Sequence, residues 1–162
     1  MGNATNGAKA GVVAGIPYGI IEALIAYLTL VSLKQTIINS IAKSLPANST
    51  ITAAQAFGIA LVVGPIIVVI GGILGGLIVG AVYGWLFERI PGGKAVIKGL
   101  IFGLVLWLLL DVLGGIGNLQ DGTEYYLTQL GSGLFTALLF GLILGYLYGR
   151  FSQPKQLLVG PT

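Results

Sequence analysis

Two acidic side chains stand inside long apolar stretches of the sequence, Glu22 near the middle of one and Asp111 in the second half of another. A carboxyl group is costly to ionise in lipid, so an acid inside a membrane helix is by default a functional candidate. All eight Lys and Arg residues fall between the apolar stretches or at their ends. Because no cation lies beside them within the membrane, we expect Glu22 and Asp111 to share a proton or bind a small cation.

Three polar side chains of the first stretch, Tyr18, Tyr27 and Thr29, are expected to support that site. In the alternative, each acid is neutral and donates a hydrogen bond to a backbone carbonyl, or Asp111 reaches the outer membrane interface at the end of its helix. The sequence leaves open whether Glu22 and Asp111 face each other.

The chain contains no Cys and no His. Their absence excludes disulfides, zinc sites built from Cys and His, Cys nucleophiles and a His general base. No pair of carboxylate, Tyr or Lys side chains has a recognisable catalytic spacing. We therefore predict no catalytic residue, no metal site, no cofactor and no enzymatic activity.

The composition indicates a membrane protein. Hydrophobic residues make up 56% of the chain and charged residues only 8%, whereas about a quarter of an average soluble domain is charged. This balance excludes a water-soluble globule. The sequence therefore predicts one transmembrane domain over residues 1–162, with membrane lipids as partners and no binding of nucleic acid.

The apolar stretches predict an all-α bundle of four transmembrane helices, because a bilayer core of about 30 Å requires roughly 20 apolar residues per helix. The predicted spans are residues 11–33, 60–87, 96–116 and 127–148. The second apolar stretch is too long for one straight crossing, and a break at residues 71–76 would give five spans. Since that turn would contain only Gly, Ile and Leu, we favour one tilted helix that begins at a capping box of Thr52 and Gln55 and bends at Pro65.

The distribution of Lys and Arg predicts the orientation, because short cytoplasmic connections are enriched in these residues. In the four-span arrangement both termini lie on the cytoplasmic side of the cell membrane, together with Lys9, Arg89, Lys94, Lys98, Arg150 and Lys155. Only Lys34 and Lys43 lie outside, where the acceptor sequence at Asn48 could be glycosylated. Five spans would place the N-terminus outside with a sharper charge asymmetry, so charge does not decide the count.

An internal repeat favours four spans. Residues 76–84 (Gly-Leu-Ile-Val-Gly-Ala-Val-Tyr-Gly) match residues 141–149 (Gly-Leu-Ile-Leu-Gly-Tyr-Leu-Tyr-Gly), and a weaker match joins residues 15–19 to 99–103. The matches predict two helical hairpins related by a parallel repeat. The alternative is that glycine-rich apolar helices resemble each other by chance.

Small residues recur every four positions in these helices and so share one helix face. Such faces let membrane helices approach closely, which predicts glycine-zipper packing. The predicted packing positions are Gly15, Gly19, Gly76, Gly80, Gly84, Gly99, Gly103, Gly141, Gly145 and Gly149.

Two further segments are predicted to lie at the membrane surface. The basic cluster of Arg89, Lys94 and Lys98 is expected to attract anionic lipid head groups, although ordinary positive-inside bias also explains it. Residues 34–45 have apolar and polar side chains on opposite faces, which predicts an outer amphipathic helix. Tyr148 is among the aromatic residues expected in the interfacial belts.

One part of the sequence resembles a known family. The segments Gly80-Ala-Val-Tyr-Gly-Trp-Leu-Phe-Glu-Arg-Ile-Pro-Gly and Lys98-Gly-Leu-Ile-Phe-Gly-Leu-Val-Leu-Trp107 are similar to small four-span prokaryotic membrane proteins of the YagU-like kind. The resemblance implies a four-span membrane fold without an assigned activity. It therefore carries no functional residue over to this chain.

These observations predict a non-catalytic structural or accessory subunit of a larger membrane assembly. Four small-residue faces exceed what sealing a four-helix bundle needs, and spare faces would recruit further helices. The alternative is a proton- or cation-coupled small transporter or channel that uses Glu22 and Asp111 and works as a homo-oligomer.

Overall fold

The structure is a computed structural model that describes residues 2–46, 48–115 and 123–153, without the side chains of residues 123–125 and 128. All regular structure in these ranges is helical, and four helices are long and apolar enough to cross a membrane. The all-α prediction and the number of apolar helices are thus confirmed. The predicted residues Ile116 and Lys155 lie outside the described ranges. The elements are α1 (Ala4–Ser32), α2 (Lys34–Ser44), α3 (Ala53–Leu86), α4 (Ala95–Trp107), a π-helical segment (Leu108–Leu113) and α5 (Thr123–Phe151). Helix α4 and the π-helical segment together form one of the four apolar helices.

The first helix is longer than its apolar stretch. The Asn3 side chain accepts a hydrogen bond from the Asn6 backbone N–H at 3.1 Å and caps α1, which begins at Ala4. Because a helix cap depends on local hydrogen bonding and not on hydropathy, the polar residues before the predicted span are helical too.

Helix α3 continues through residues 71–76 without a break, so the five-span alternative is wrong. Its start follows the predicted capping box: the Thr52 hydroxyl accepts the Gln55 N–H at 3.2 Å, and the Gln55 side chain accepts the Thr52 N–H at 2.8 Å. Pro65 lies inside the helix.

Helix α2 follows α1 after the single residue Leu33 and packs on α3. Ile37, Ile38 and Ile41 are half-buried, whereas the polar residues Lys34 and Lys43 are exposed. The predicted amphipathic segment is therefore confirmed as a helix with one side against the bundle.

The helices pair as two antiparallel hairpins. Helix α1 packs along α3, and α4 packs along α5, while contacts between α1 and α5 join the two pairs. The arrangement brings the start of α1, the end of α3, the start of α4 and the end of α5 to one end of the bundle.

An aromatic core fills that end. Tyr83 is fully buried, its hydroxyl donates to the Ala95 carbonyl at 2.8 Å, and its ring lies 5.3 Å from that of Tyr148 and 5.2 Å from that of Phe102. The Tyr148 hydroxyl accepts the Asn3 backbone N–H at 3.0 Å. Tyr148 is only 2% exposed, so its predicted place in an interfacial belt is wrong: its ring packs against Tyr83 and Phe87 inside the bundle.

The outer surface of the bundle is apolar. Large hydrophobic side chains point outwards along all four long helices, with Val62 and Leu110 each 65% exposed and Phe135 63% exposed. Apolar surface of this extent is unfavourable in water and stable in lipid. The four apolar helices and this exterior suggest a multi-pass membrane protein.

Candidate functional site

Contacts between glycine backbones set the position of α1 against α3. A Cβ atom built on Gly80 would lie 2.7 Å from the Cα of Gly11, and one built on Gly72 would lie 2.7 Å from the Cα of Gly19. Real Cβ atoms essentially never come this close, so no larger residue fits. We call this contact the α1–α3 seam; it comprises Gly7, Gly11, Gly15 and Gly19 of α1 and Gly72, Gly76, Gly80 and Gly84 of α3.

The second hairpin has a matching contact between α4 and α5. A Cβ atom on Gly99 would lie 2.8 Å from the Cα of Gly145, and one on Gly103 would lie 3.3 Å from the Cα of Gly141. Gly149 extends the contact towards the Ala95 side chain, at 3.1 Å. The glycine faces noted in the sequence are therefore occupied within the chain.

A cleft of about 410 Å³ lies between the two hairpins, beyond the aromatic core. Tyr18 and Glu22 of α1 line it together with Asp111 of the π-helical segment. Both carboxyl groups therefore line the same cleft as the Tyr18 phenol. The structure therefore brings three of the predicted site residues to one cavity. The other lining residues are Val68, Gly71, Gly72, Gly75, Gly76, Val79, Leu106, Trp107, Leu110, Gly133, Ala137 and Phe140.

The π-helical segment places Asp111 in this cleft. A π-helical turn shifts the side chains that follow it around the helix, and such turns are frequent at functional sites. Two hydrogen bonds tie this part of the chain to α5: the Trp107 indole donates to the Leu130 carbonyl at 3.0 Å, and the Tyr126 hydroxyl donates to the Val112 carbonyl at 3.0 Å.

Gly133 of α5 leaves room for the Asp111 carboxyl group. A Cβ atom at residue 133 would lie 2.6 Å from Asp111 Oδ1. The carboxyl group therefore rests directly on the α5 backbone, half-buried between the second hairpin's two helices.

The other two predicted supporting residues lie elsewhere. Tyr27 is 42% exposed, and the Thr29 hydroxyl donates to the Ile25 carbonyl of its own helix at 2.9 Å. The Thr29 hydroxyl is thus hydrogen-bonded to the backbone of its own helix, as hydroxyl side chains in helices commonly are. Only Tyr18 of the predicted supporting set lines the cleft.

Several lining residues were not predicted as part of a site. The Phe140 ring packs edge-on against Tyr18 with ring centroids 5.4 Å apart, and Trp107 lines the cleft next to the π-helical segment. Gly71 and Gly75 also line it. The sequence contained two signals: Trp107 lies four residues before Asp111, and Gly71 and Gly75 form a second pair of glycines four residues apart.

The predicted lipid-binding cations have different surroundings. The Lys98 ammonium donates a hydrogen bond to the Phe87 carbonyl at 2.8 Å and lies 4.3 Å from the centre of the Phe87 ring. It therefore provides a hydrogen-bond donor for a carbonyl group at the C-terminal end of α3. Arg89 lies over the exposed Trp85 ring at 5.2 Å, and Lys94 is exposed at the start of α4. Arg89 and Lys94 are therefore the cations that face outwards at this turn.

The cleft is lined mainly by apolar and aromatic side chains, together with the carboxyl groups of Glu22 and Asp111. No Lys or Arg is among the residues that line it. Within the described ranges, no three His, Cys, Asp or Glu side chains come together as a metal ion would require. The negative charge available to a ligand is therefore that of Glu22 and Asp111.

Residues 3–159 match the family model described as a family of unknown function, DUF6789. The chain belongs to this family. Neither curated proteins nor solved structures gave a match. Family membership therefore supplies no activity, and function has to be argued from the cleft itself.

Proposed function

We propose that the protein is a small proton-coupled cation transporter of the cell membrane, in which Glu22 and Asp111 form the transport site. The observation that carries the proposal is the shared cleft: the two deep acids come from different hairpins and line one cavity together with Tyr18. Carboxyl groups of this kind mark ion pathways and proton relays in membrane proteins.

The hairpin arrangement supports movement around the cleft. Each hairpin is held internally by close backbone contacts, whereas the two hairpins meet through aromatic side chains such as Tyr18 and Phe140. Rigid hairpins that rock against each other would open the cleft to either side, as in transporters built from repeats. Since four helices enclose little pathway, we propose a homo-oligomer.

The contacts also favour the proposed parallel repeat. Gly11 contacts Gly76 and Gly80, and Gly99 contacts Gly141 and Gly145. In this register Gly11 corresponds to Gly99, one helical turn from the alignment drawn on the sequence alone. The glycine-zipper interpretation rests on the same contacts, in which small residues recur every four positions on both partners.

Proton uptake into liposomes tests the proposed function. Purified protein would be reconstituted around a fluorescent pH indicator, and a potassium gradient with valinomycin would impose an inside-negative potential. We expect the wild type to acidify the lumen. The variants Glu22→Gln and Asp111→Asn should be slower by about tenfold or more, because each replaces a carboxyl group of the proposed transport site by an amide that cannot take up a proton.

Glu88→Gln is the matched control, because Glu88 is an exposed acid at the turn after α3 and does not line the cleft. It is expected to retain the wild-type rate. Equal rates for empty liposomes and wild type, or full activity of both cleft variants, would contradict the proposal.

The accessory-subunit prediction remains a second candidate. The argument for it was that small-residue faces are left over to bind other helices, and this argument is weakened because those faces pack against each other within the chain. Gly58 and Gly131 still favour it, since both are exposed and a Cβ atom on either would meet nothing within 4 Å. Native mass spectrometry of the complex from its own membrane would show a stoichiometric second polypeptide for an accessory subunit and only this chain for the transporter.

We further propose that both termini are cytoplasmic. Asn3 and Tyr148 are hydrogen-bonded, so the two ends of the described chain lie at the same end of the bundle as the basic turn. The chain has no Cys, so single cysteines can report the sides. On intact cells, an impermeant maleimide should label Ser49→Cys, whereas Ser152→Cys should react only after permeabilisation; the reverse pattern would invert the orientation.

A further inference from the structure

We propose that the cleft takes an organic monocation with an apolar body, such as an alkylammonium, as its substrate. This inference rests on the proposed function in one respect: Glu22 and Asp111 provide the negative charge. The remainder of the argument concerns the size and the lining of the cleft, which a site for protons alone would not need.

The volume fits a small molecule. A cavity of about 410 Å³ lies within the range of roughly 300–1,000 Å³ that is usual for small-molecule sites, which combine an apolar lining with a few polar groups. Here the apolar part includes Val68, Val79 and Leu106. Such surfaces contribute nothing to a hydrated proton or metal ion and bind the hydrocarbon part of an organic ligand.

The aromatic residues add an attraction for alkylammonium ions. Tyr18, Trp107 and Phe140 all line the cleft, and aromatic faces bind quaternary ammonium groups through the ring quadrupole. A bare divalent ion fits less well, since Ca²⁺ takes six to eight oxygen ligands and the cleft's acidic oxygens come from two carboxyl groups.

The cleft has free space beside two glycines of α3, Gly71 and Gly75. A Cβ atom on either would meet nothing within 4 Å, so helix packing does not require glycine there, and glycine lowers helix stability. In the register of the repeat, the corresponding α5 positions are Thr136 and Phe140, both buried. The first hairpin thus leaves empty the space that the second fills with side chains.

A titration with tetraethylammonium tests the inference. In a Trp85→Phe background, Trp107 is the only indole, because the chain has two tryptophans. Binding would be followed in detergent by Trp107 fluorescence and by calorimetry, with sodium at equal ionic strength as the reference cation. We expect saturable binding of tetraethylammonium that shifts the Trp107 emission, and no shift with sodium.

Two leucine substitutions on the same helix separate cleft filling from a general effect on α3. Gly75→Leu should fold normally and weaken tetraethylammonium binding by about tenfold or more, because it occupies the space the ligand needs. Gly58→Leu is the matched control: its site is equally free of neighbours but lies outside the cleft, so binding should stay within about twofold of the parent.

The outcomes distinguish this inference from the proposed function. Absence of binding, or equal binding by Gly75→Leu and its parent, would overturn the organic-cation site even if proton uptake depends on Glu22 and Asp111. Binding that Gly75→Leu and Asp111→Asn both weaken would support it, and a simultaneous lack of proton uptake would then contradict only the proton-coupled transport.

Discussion

The α1–α3 seam and the cleft are neighbouring regions that both depend on glycines of α3, with opposite consequences. At Gly72, Gly76 and Gly80 the α1 backbone lies so close that a single added carbon would collide with it. At Gly71 and Gly75, one position earlier in each case, an added carbon would meet nothing within 4 Å. Because successive helix positions are rotated by about 100°, Gly72, Gly76 and Gly80 face α1, whereas Gly71 and Gly75 face the cavity.

The difference shows that glycine has two separate roles in this bundle. In the seam it removes side chains so that two backbones can touch and gain dispersion contacts. In the cleft it removes side chains so that no protein atom occupies the space. Stability should therefore respond to substitution in the seam, and ligand binding should respond in the cleft.

The largest expected effect is that of Gly80→Leu, which should destabilise the protein by about 3 kcal/mol or more, since the side chain would have to displace the α1 backbone. Thermal unfolding in detergent would measure it. Gly75→Leu should leave the midpoint near that of the wild type. Equal losses in the two variants would show that α3 glycines act through helix flexibility and not through contact.

Variants of two tyrosines extend the comparison from glycines to larger side chains, because Tyr83 lies in the aromatic core and Tyr18 lines the cleft. Tyr83→Phe removes the hydrogen bond to the part-buried Ala95 carbonyl inside the aromatic core, so it should cost about 1 kcal/mol without changing cation binding. Tyr18→Leu removes an aromatic face that lines the cleft and should weaken tetraethylammonium binding by about threefold or more, whereas Tyr18→Phe keeps the ring and its contact with Phe140 and should retain the parent's affinity. A loss of stability in Tyr18→Phe but not in Tyr83→Phe would contradict a stabilising role for the Tyr83 hydroxyl, and unchanged binding by Tyr18→Leu would contradict a binding role for Tyr18.

Gly133→Ala examines a glycine of the cleft that does have a close neighbour. The new methyl group would displace the Asp111 carboxyl, which can rotate away, so the stability loss should stay below about 1 kcal/mol. Proton uptake should nevertheless fall, because the acid no longer faces the cleft in the same position. Wild-type uptake with a displaced Asp111 would show that its exact placement is unimportant.

The smallest expected effect is that of Gly58→Ala, at an α3 position that borders neither the seam nor the cleft. Alanine should raise stability by about 0.5–1 kcal/mol, because it restricts the unfolded chain more than glycine does. A decrease measured in the same unfolding assay would indicate that another chain packs closely at this position and would favour the accessory-subunit candidate.

Much of the fold was predictable from local features. The four apolar helices follow from hydropathy, the start of α3 from the Thr52 and Gln55 capping box, and the amphipathic α2 from alternating faces. The helix ends differ from the predicted span ends where a local cap extends the helix, as Asn3 does at the start of α1. Tyr148 was assigned to the surface because a tyrosine near a helix end suits both a lipid interface and a core, and the sequence does not distinguish them.

The candidate site was predictable only in part. Glu22 and Asp111 stood out because charge inside an apolar stretch is a local property, and Tyr18 was named with them. The inclusion of Trp107, Phe140 and Gly133 depends on the rotation of each helix about its axis. Tyr27 and Thr29 were equally plausible by spacing and lie elsewhere.

The sequence by itself determined that this chain forms helices long and apolar enough for a membrane, where two of its acids fall along them, and which faces are small enough for close approach. Those properties follow from composition and from the helical period. Only the tertiary structure decided that the small faces pack against each other, that Glu22 and Asp111 line one cleft, and that Gly71 and Gly75 line it too. The physical reason is that hydropathy is similar all around these helices, so their relative rotation is set by backbone contact and side-chain shape across the bundle.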